Sequence, residues 1–267
     1  MTALLGLATR LRLARLLLIT DLRRPTVPPV DDRFAAEPSD GDQLAADHPA
    51  DLTGFVAATV AAGADIVLLR EDGAPALALM DGLFDLRAAL TGEHRVILGL
   101  AEPVAATQGE ADLVHLPAGC VDTPDEVRPL LHQWALVGRS CHDVAGLEAA
   151  LAGERVDYLT VGPVSGAAGL DLVRRAAELL PPGDPASLPW FATGGVTPAT
   201  LDAVVAAGAR RIGVARCVRD AADPAVLTRE LAQRLARAWR EDPGMERVSL
   251  SAFGSGGPGL SGLRPRG

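Results

Sequence analysis

Aromatic side chains are almost missing: they are 3% of the 267 residues, with a single tyrosine. Hydrophobic residues nevertheless reach 48%, so Ala, Leu and Val must fill the core. Cysteine is scarce too. Cys120, Cys141 and Cys217 lie far apart, and no C-x-x-C pair exists. That excludes a disulfide framework and a cysteine zinc site, and a reducing cytoplasm fits best. Positive charge is in deficit, with 25 basic against 34 acidic residues and a formal charge of -9. A general nucleic-acid binder needs a basic face, so that class is set aside, although a local basic pocket is still allowed. Long apolar runs are absent as well. A membrane span needs about 18 or more uninterrupted apolar residues, and Arg10, Arg12 and Arg15 break up the N-terminal MTALLGLATRLRLARLLLIT. Its LLLIT segment reads as a core strand rather than part of a signal peptide.

What is present is alternation. Apolar runs of strand length recur at 16–20, 66–70, 95–100, 112–116, 135–140, 157–161, 190–193 and 211–215. Helical spacing or cap residues fall between them, at 52–62, 76–90, 103–108, from Thr123 towards Gln133, from Asp143 to Leu151, at 170–180, and after Thr197-Pro198. A last helix is expected at 224–240. Strands alternating with helices imply a parallel sheet, and the count of eight favours a closed (β/α)8 TIM barrel. Residues 1–240 form that single domain. Residues 22–50, rich in Pro, Asp and Gly, form a long first βα loop. Residues 241–267, rich in Gly, Ser and Pro, read as a disordered tail.

The most informative stretch is PWFATGGVTPATLDAVVAAGARRIGVARCV, 189–218. It reads as strand, Gly194-Gly195 turn, helix, strand. A glycine turn lets backbone approach a ligand closely, and N–H groups at a helix start attract anions. In such barrels the phosphate site commonly follows strands seven and eight. The strand ends gather further polar groups: Arg70, Glu102, His115, Ser140, His142, Gly162 and Arg216. Arg70 suits either a salt bridge or an anionic ligand. Histidine ordinarily titrates near neutrality, so His142 could move protons or simply be a hydrogen-bonded loop residue. His115, inside a strand, reads as core or supporting. Cys141 and His142 point to opposite sides and are not a nucleophile–base pair.

With these residues placed, the chain resembles the thiamine phosphate synthase/TenI superfamily from about Leu16 to Trp239. The matching segments, in order, are LLLITD, GADIVLLRE, ADLVHLPAG, LVGRSCHD, VDYLTVGPV and FATGGVTPATLDAVVAAGARRIGVA. The resemblance implies a barrel acting on thiazole phosphate. Gly194, Gly195, Val214 and Ala215 would hold the phosphate through backbone N–H groups. Arg70, Ser140 and Gly162 would line the substrate mouth.

The synthase branch, which uses Mg²⁺, departs from this chain at four places. The Gln and Lys flanking its strand-two arginine are here Leu68 and Asp72. Its metal-binding Asn-Asp-Asp is Gly99-Leu100-Ala101, and its second metal aspartate is Cys120. Its Pro-Thr-x-Thr-Lys loop is shortened to Ser165–Gly169. A departing diphosphate needs its charge neutralised. The departures therefore point to the metal-independent TenI branch, a thiazole tautomerase with His142 as proton shuttle and no cofactor. Two alternatives stay open: thiamine phosphate synthase, with Mg²⁺ on replacement ligands such as Glu102 or Asp122, and a non-catalytic phosphate-ligand barrel. The expected partner is a small phosphate substrate, without nucleic acid or membrane, and a homo-oligomer is allowed.

Overall fold

The computed structural model describes residues 5–22, 52–93, 95–153 and 155–254. Eight parallel strands among them close into a barrel: β1 Leu16–Thr20, β2 Ile66–Leu69, β3 Ile97–Leu100, β4 Leu113–Leu116, β5 Leu136–Cys141, β6 Tyr158–Val161, β7 Trp190–Ala192 and β8 Ile212–Val214. Closure is the pairing of β1 with β8, Leu17 opposite Gly213. The expected long loop at 22–50 lies, from residue 23 on, outside the described residues.

Each strand alternates sides with period two. Leu16, Leu18, Val67, Leu69, Leu98, Leu100, Val114 and Leu116 face outward onto the helices. Leu17, Ile66, Leu68, Ile97, Leu113, Leu136, Tyr158 and Phe191 fill the interior. Burying each such side chain stabilises by roughly 1.5–3 kcal/mol, which explains how a core so poor in aromatics suffices. The surrounding helices are α1 Leu7–Leu13, α2 Leu52–Ala61, α3 Ala76–Ala89, α4 Pro103–Gln108, α5 Pro124–Val127, α6 Val144–Gly153, α7 Ala167–Leu179, α8 Leu201–Ala206, α9 Arg216–Arg219, α10 Pro224–Glu241 and α11 Pro243–Gly254.

The N-terminal end of the barrel is tied by a repeated device. Asp65, just before β2, accepts the N–H groups of Arg15 at 2.7 Å and Leu16 at 3.0 Å. Asp112, before β4, accepts Leu98 N–H at 3.0 Å, and Asp157, before β6, accepts Val137 N–H at 2.8 Å. Each carboxylate thus satisfies a backbone donor of the preceding strand or its entry, where the ladder has no partner to offer. Burial pushes the Asp65 pKa up despite these hydrogen bonds.

Four expectations are corrected. The tail does not begin at 241: α11 occupies 243–254, and only residues 255–267 lie outside the described residues. Met245, Val248 and Ala252 are buried, and Trp239 Nε1–H donates to Ser249 Oγ at 3.2 Å. The helix is kept by tertiary contact with α1 and α10, which its Gly- and Ser-rich composition conceals. Helix α1 was not expected. It plugs the bottom of the barrel, Leu11 and Ala14 joining the interior cluster. The helix after Thr123 ends at Val127 and passes into a single 3₁₀ turn, Arg128–Leu130, because Pro129 has no N–H to continue the ladder. The helix expected to start at Thr197-Pro198 starts later: α8 begins at Leu201 with Thr200 in the N-cap position, and Thr197 Oγ1 instead accepts Thr200 N–H at 3.3 Å in the turn before it.

Candidate active site

The C-terminal mouth is built from two interlocked loops and one polar wall. Val164 N–H donates to both Thr193 O and Gly194 O at 2.9 Å, and Ser165 N–H to Gly194 O at 3.2 Å. Gly162, Gly194 and Gly195 are thereby brought together. A Cβ on Gly162 would lie 2.1 Å from Thr193 O, and one on Gly194 2.8 Å from Pro163 Cα. Gly194 and Gly195 have φ of 76° and 100°, a region L side chains rarely adopt. Among the described residues neither of their N–H groups meets an acceptor. Two free donors on a rigid glycine turn suit an anion. Val214 is buried facing outward, so only its backbone reaches the mouth, and Ala215 follows it into α9.

Arg70 leaves the end of β2 and pairs with Asp72 at 3.2 Å, its side chain 43% exposed. An exposed pair of this kind contributes about 0–1 kcal/mol, so a ligand anion can displace it. His142 is exposed, just past β5. Cys141, beside it, is buried on the outer face with Sγ 3.7 Å from Gly146 O, consistent with opposite sides of a strand. Arg139 also faces outward and donates to Asp122 O at 3.2 Å. Arg219, after β8, pairs with Asp21 at the end of the neighbouring β1 at 2.9 Å.

The polar wall was not legible as a unit. His115 is 3% exposed inside the barrel. Its Nδ1 lies 2.8 Å from Tyr158 Oη, and its Nε2 lies 2.8 Å from Ser140 Oγ. Thr160 Oγ1 lies 3.0 Å from Ser140 Oγ. Burial, then the charges of Arg70 and Arg139, holds the His115 pKa down to about 3. Burial, then Asp157, pushes the Tyr158 phenol well above its ordinary range. Gly138 makes this possible. It pairs with Tyr158 across β5 and β6, and a Cβ there would lie 2.0 Å from the tyrosine ring. The available signal was the chain's only tyrosine, two residues before Thr160 in a strand otherwise apolar.

Magnesium, which the synthase resemblance implies, fits these residues poorly. Glu102 spends both carboxylate oxygens on the first turn of α4, accepting Val104 N–H and Ala105 N–H. Asp122 accepts Cys120 Sγ–H at 3.6 Å, Asp21 is held by Arg219, and Asp72 by Arg70. Among the described residues no three His, Cys, Asp or Glu side chains gather where they could hold a metal. The 25 basic residues are all arginine, so no lysine is available for a diphosphate either.

A closed barrel of eight parallel strands alternating with helices defines a protein of the TIM type. The profile of the Thiamine monophosphate synthase family matches residues 43–218, and the chain belongs to that family. It is 38% identical over 198 residues to the thiamine-phosphate synthase of Acidothermus cellulolyticus, covering 70% of this chain and 90% of that one. It is 36% identical over 251 residues to that of Mycobacterium leprae, covering 86% and 94%. A solved thiamine phosphate pyrophosphorylase from Pyrococcus furiosus shares the fold, with TM-score 0.63 and 20% identity over 87% of this chain and 99% of that one. Kinship of this kind places the chain in thiamine biosynthesis. The relatives' names favour the synthase branch over the TenI-type tautomerase that the missing carboxylates suggested. Those losses concern a handful of positions, whereas the identity is spread along the barrel.

Proposed function

We propose that this protein is a thiamine-phosphate synthase, joining a pyrimidine diphosphate to thiazole phosphate. The observation that carries the reading is identity of 36–38% to relatives of that name, which the chain covers over most of their length. The free N–H groups of Gly194 and Gly195, with the backbone at Val214 and Ala215, hold the thiazole phosphate. Ser140 and Gly162 line the wall beside it. Arg70 leaves Asp72 to meet the second anion, and His142 serves at the rim as the proton-handling group. Magnesium has no ready cluster of ligands here: among the described residues no three His, Cys, Asp or Glu side chains gather where they could hold it. Among the described residues no helix is long and apolar enough to cross a membrane.

A second reading, a thiazole-phosphate binder without turnover, is favoured by one observation. Leu100 points outward into the core, Ala101 is too short to ligate, and Glu102 is consumed as a helix cap. One experiment separates them: product formation from both substrates, with magnesium and with a chelator, beside calorimetric binding of thiazole phosphate. The synthase reading expects turnover. Binding without turnover under either condition moves the protein to the second reading. Gly195→Asp places a carboxylate and a strained side chain where the anion sits. It should weaken binding at least about 10-fold, the scale of losing charge-assisted hydrogen bonds, with circular dichroism unchanged. Undiminished affinity would remove the phosphate from that turn.

A further inference from the structure

Four buried or half-buried groups meet under the mouth, and following each hydrogen shows which way the set is ordered. Tyr158 is fully buried, and among the described residues its hydroxyl has one partner, His115 Nδ1. Were the ring proton on Nδ1, the tyrosyl hydrogen would have no acceptor, and buried donors are rarely left so. The tyrosyl O–H therefore donates to Nδ1, and the ring proton sits on Nε2. That N–H points at Ser140 Oγ, 2.8 Å away. Among the described residues the hydroxyl of Thr160, 4% exposed, has two hydrogen-bond partners, Ser140 Oγ at 3.0 Å and His115 Nε2 at 3.4 Å. Nε2 already carries a proton, so the Thr160 hydrogen also goes to Ser140. Both lone pairs of Ser140 are then engaged. Its own hydrogen is the one left over, and Ser140 is the member of the set that is partly exposed, one residue before the end of β5.

We infer that Tyr158, His115 and Thr160 are positioning residues that make Ser140 a hydrogen-bond donor towards the mouth, selecting a ligand atom with a free lone pair and no hydrogen. Such an atom is a phosphate oxygen or an unprotonated ring nitrogen; a ligand N–H or O–H in its place finds no acceptor. The identity of the ligand rests on the thiazole-phosphate reading, but the order of the hydrogen bonds does not. The imidazole stays neutral because it is buried, so it cannot supply a second proton that would reverse the chain.

The test is nitrogen NMR of the full chain labelled in histidine, at neutral pH, with the His115 signals identified by their loss in His115→Gln. The expected result is an unprotonated Nδ1 and a protonated Nε2. Tyr158→Phe keeps the ring volume and removes only the donor. It should abolish the single-tautomer pattern and lower thiazole phosphate affinity about 3- to 10-fold, the scale of one hydrogen bond. Ser140→Ala should lose a similar factor, while Ser140→Thr, which keeps a hydroxyl, should retain most of the affinity. A protonated Nδ1, an imidazolium, or Tyr158→Phe changing neither spectrum nor affinity overturns the inference. If the tautomer is as expected and responds to Tyr158→Phe while thiazole phosphate binds to neither protein, the hydrogen-bond order stands and the thiazole-phosphate reading falls.

Discussion

Mild acid should destabilise this barrel from the inside, through His115. An unfolded chain protonates that histidine at about pH 6.5, but burial, with Arg70 and Arg139 nearby, keeps the folded pKa at about 3. The folded state therefore binds fewer protons than the unfolded one between those values. A depressed folded pKa makes the contribution complete above about 6.5 and erodes it as pH falls through that window towards 3. The slope is about 1.4 kcal/mol per pH unit, so stability should drop by ~2 kcal/mol by about pH 5. That is a large part of a total that is typically ~5–15 kcal/mol. Urea unfolding followed by the fluorescence of the buried Trp190 measures it, comparing the wild type with His115→Gln between about pH 7 and 5. Asp65 is common to both proteins. Its pKa is raised, so it acts in the opposite sense, adding stability as pH falls, and it cancels in the difference. Parallel pH profiles for the two proteins would refute the claim that a buried neutral imidazole sits in this barrel.

Two further perturbations probe the structure around the site. Gly138→Ala sets a methyl group 2.0 Å from the Tyr158 ring and must push the ring off His115. It should destabilise by ~1–3 kcal/mol, and an unchanged urea midpoint would show that the ring does not lie there. Met245→Ala empties a fully buried site under α11. A loss of ~2–5 kcal/mol is expected, whereas a neutral result would return residues from 241 onward to the status of a tail.

Much of the fold is local and therefore readable in the chain. The apolar runs around Ile66, Leu113 and Tyr158 are short, and caps or glycine turns bound them, so their nature as strands follows from backbone preference and period alone. The same holds for Thr123, which caps α5, and for Gly194-Gly195, whose φ values only glycine adopts without strain. Family membership was readable as well, because ordered segments survive where individual site residues have changed. The choice of branch rested on those changed residues: missing carboxylates at Leu100, Ala101 and Cys120 argued for the tautomerase, whereas the relatives' names favour the synthase. The use of Glu102 could not be foreseen, since a carboxylate before Pro103 serves a metal or a helix start equally well until its partners are placed. Nor could α11, whose Met245, Val248 and Ala252 acquire a reason to be helical only against α1 and α10. The polar wall is the clearest case. Period two says that His115, Ser140, Tyr158 and Thr160 face inward, but they lie on three strands. Only closure of the barrel, with Gly138 leaving room for the tyrosine ring, brings their hydroxyls and imidazole within hydrogen-bonding distance.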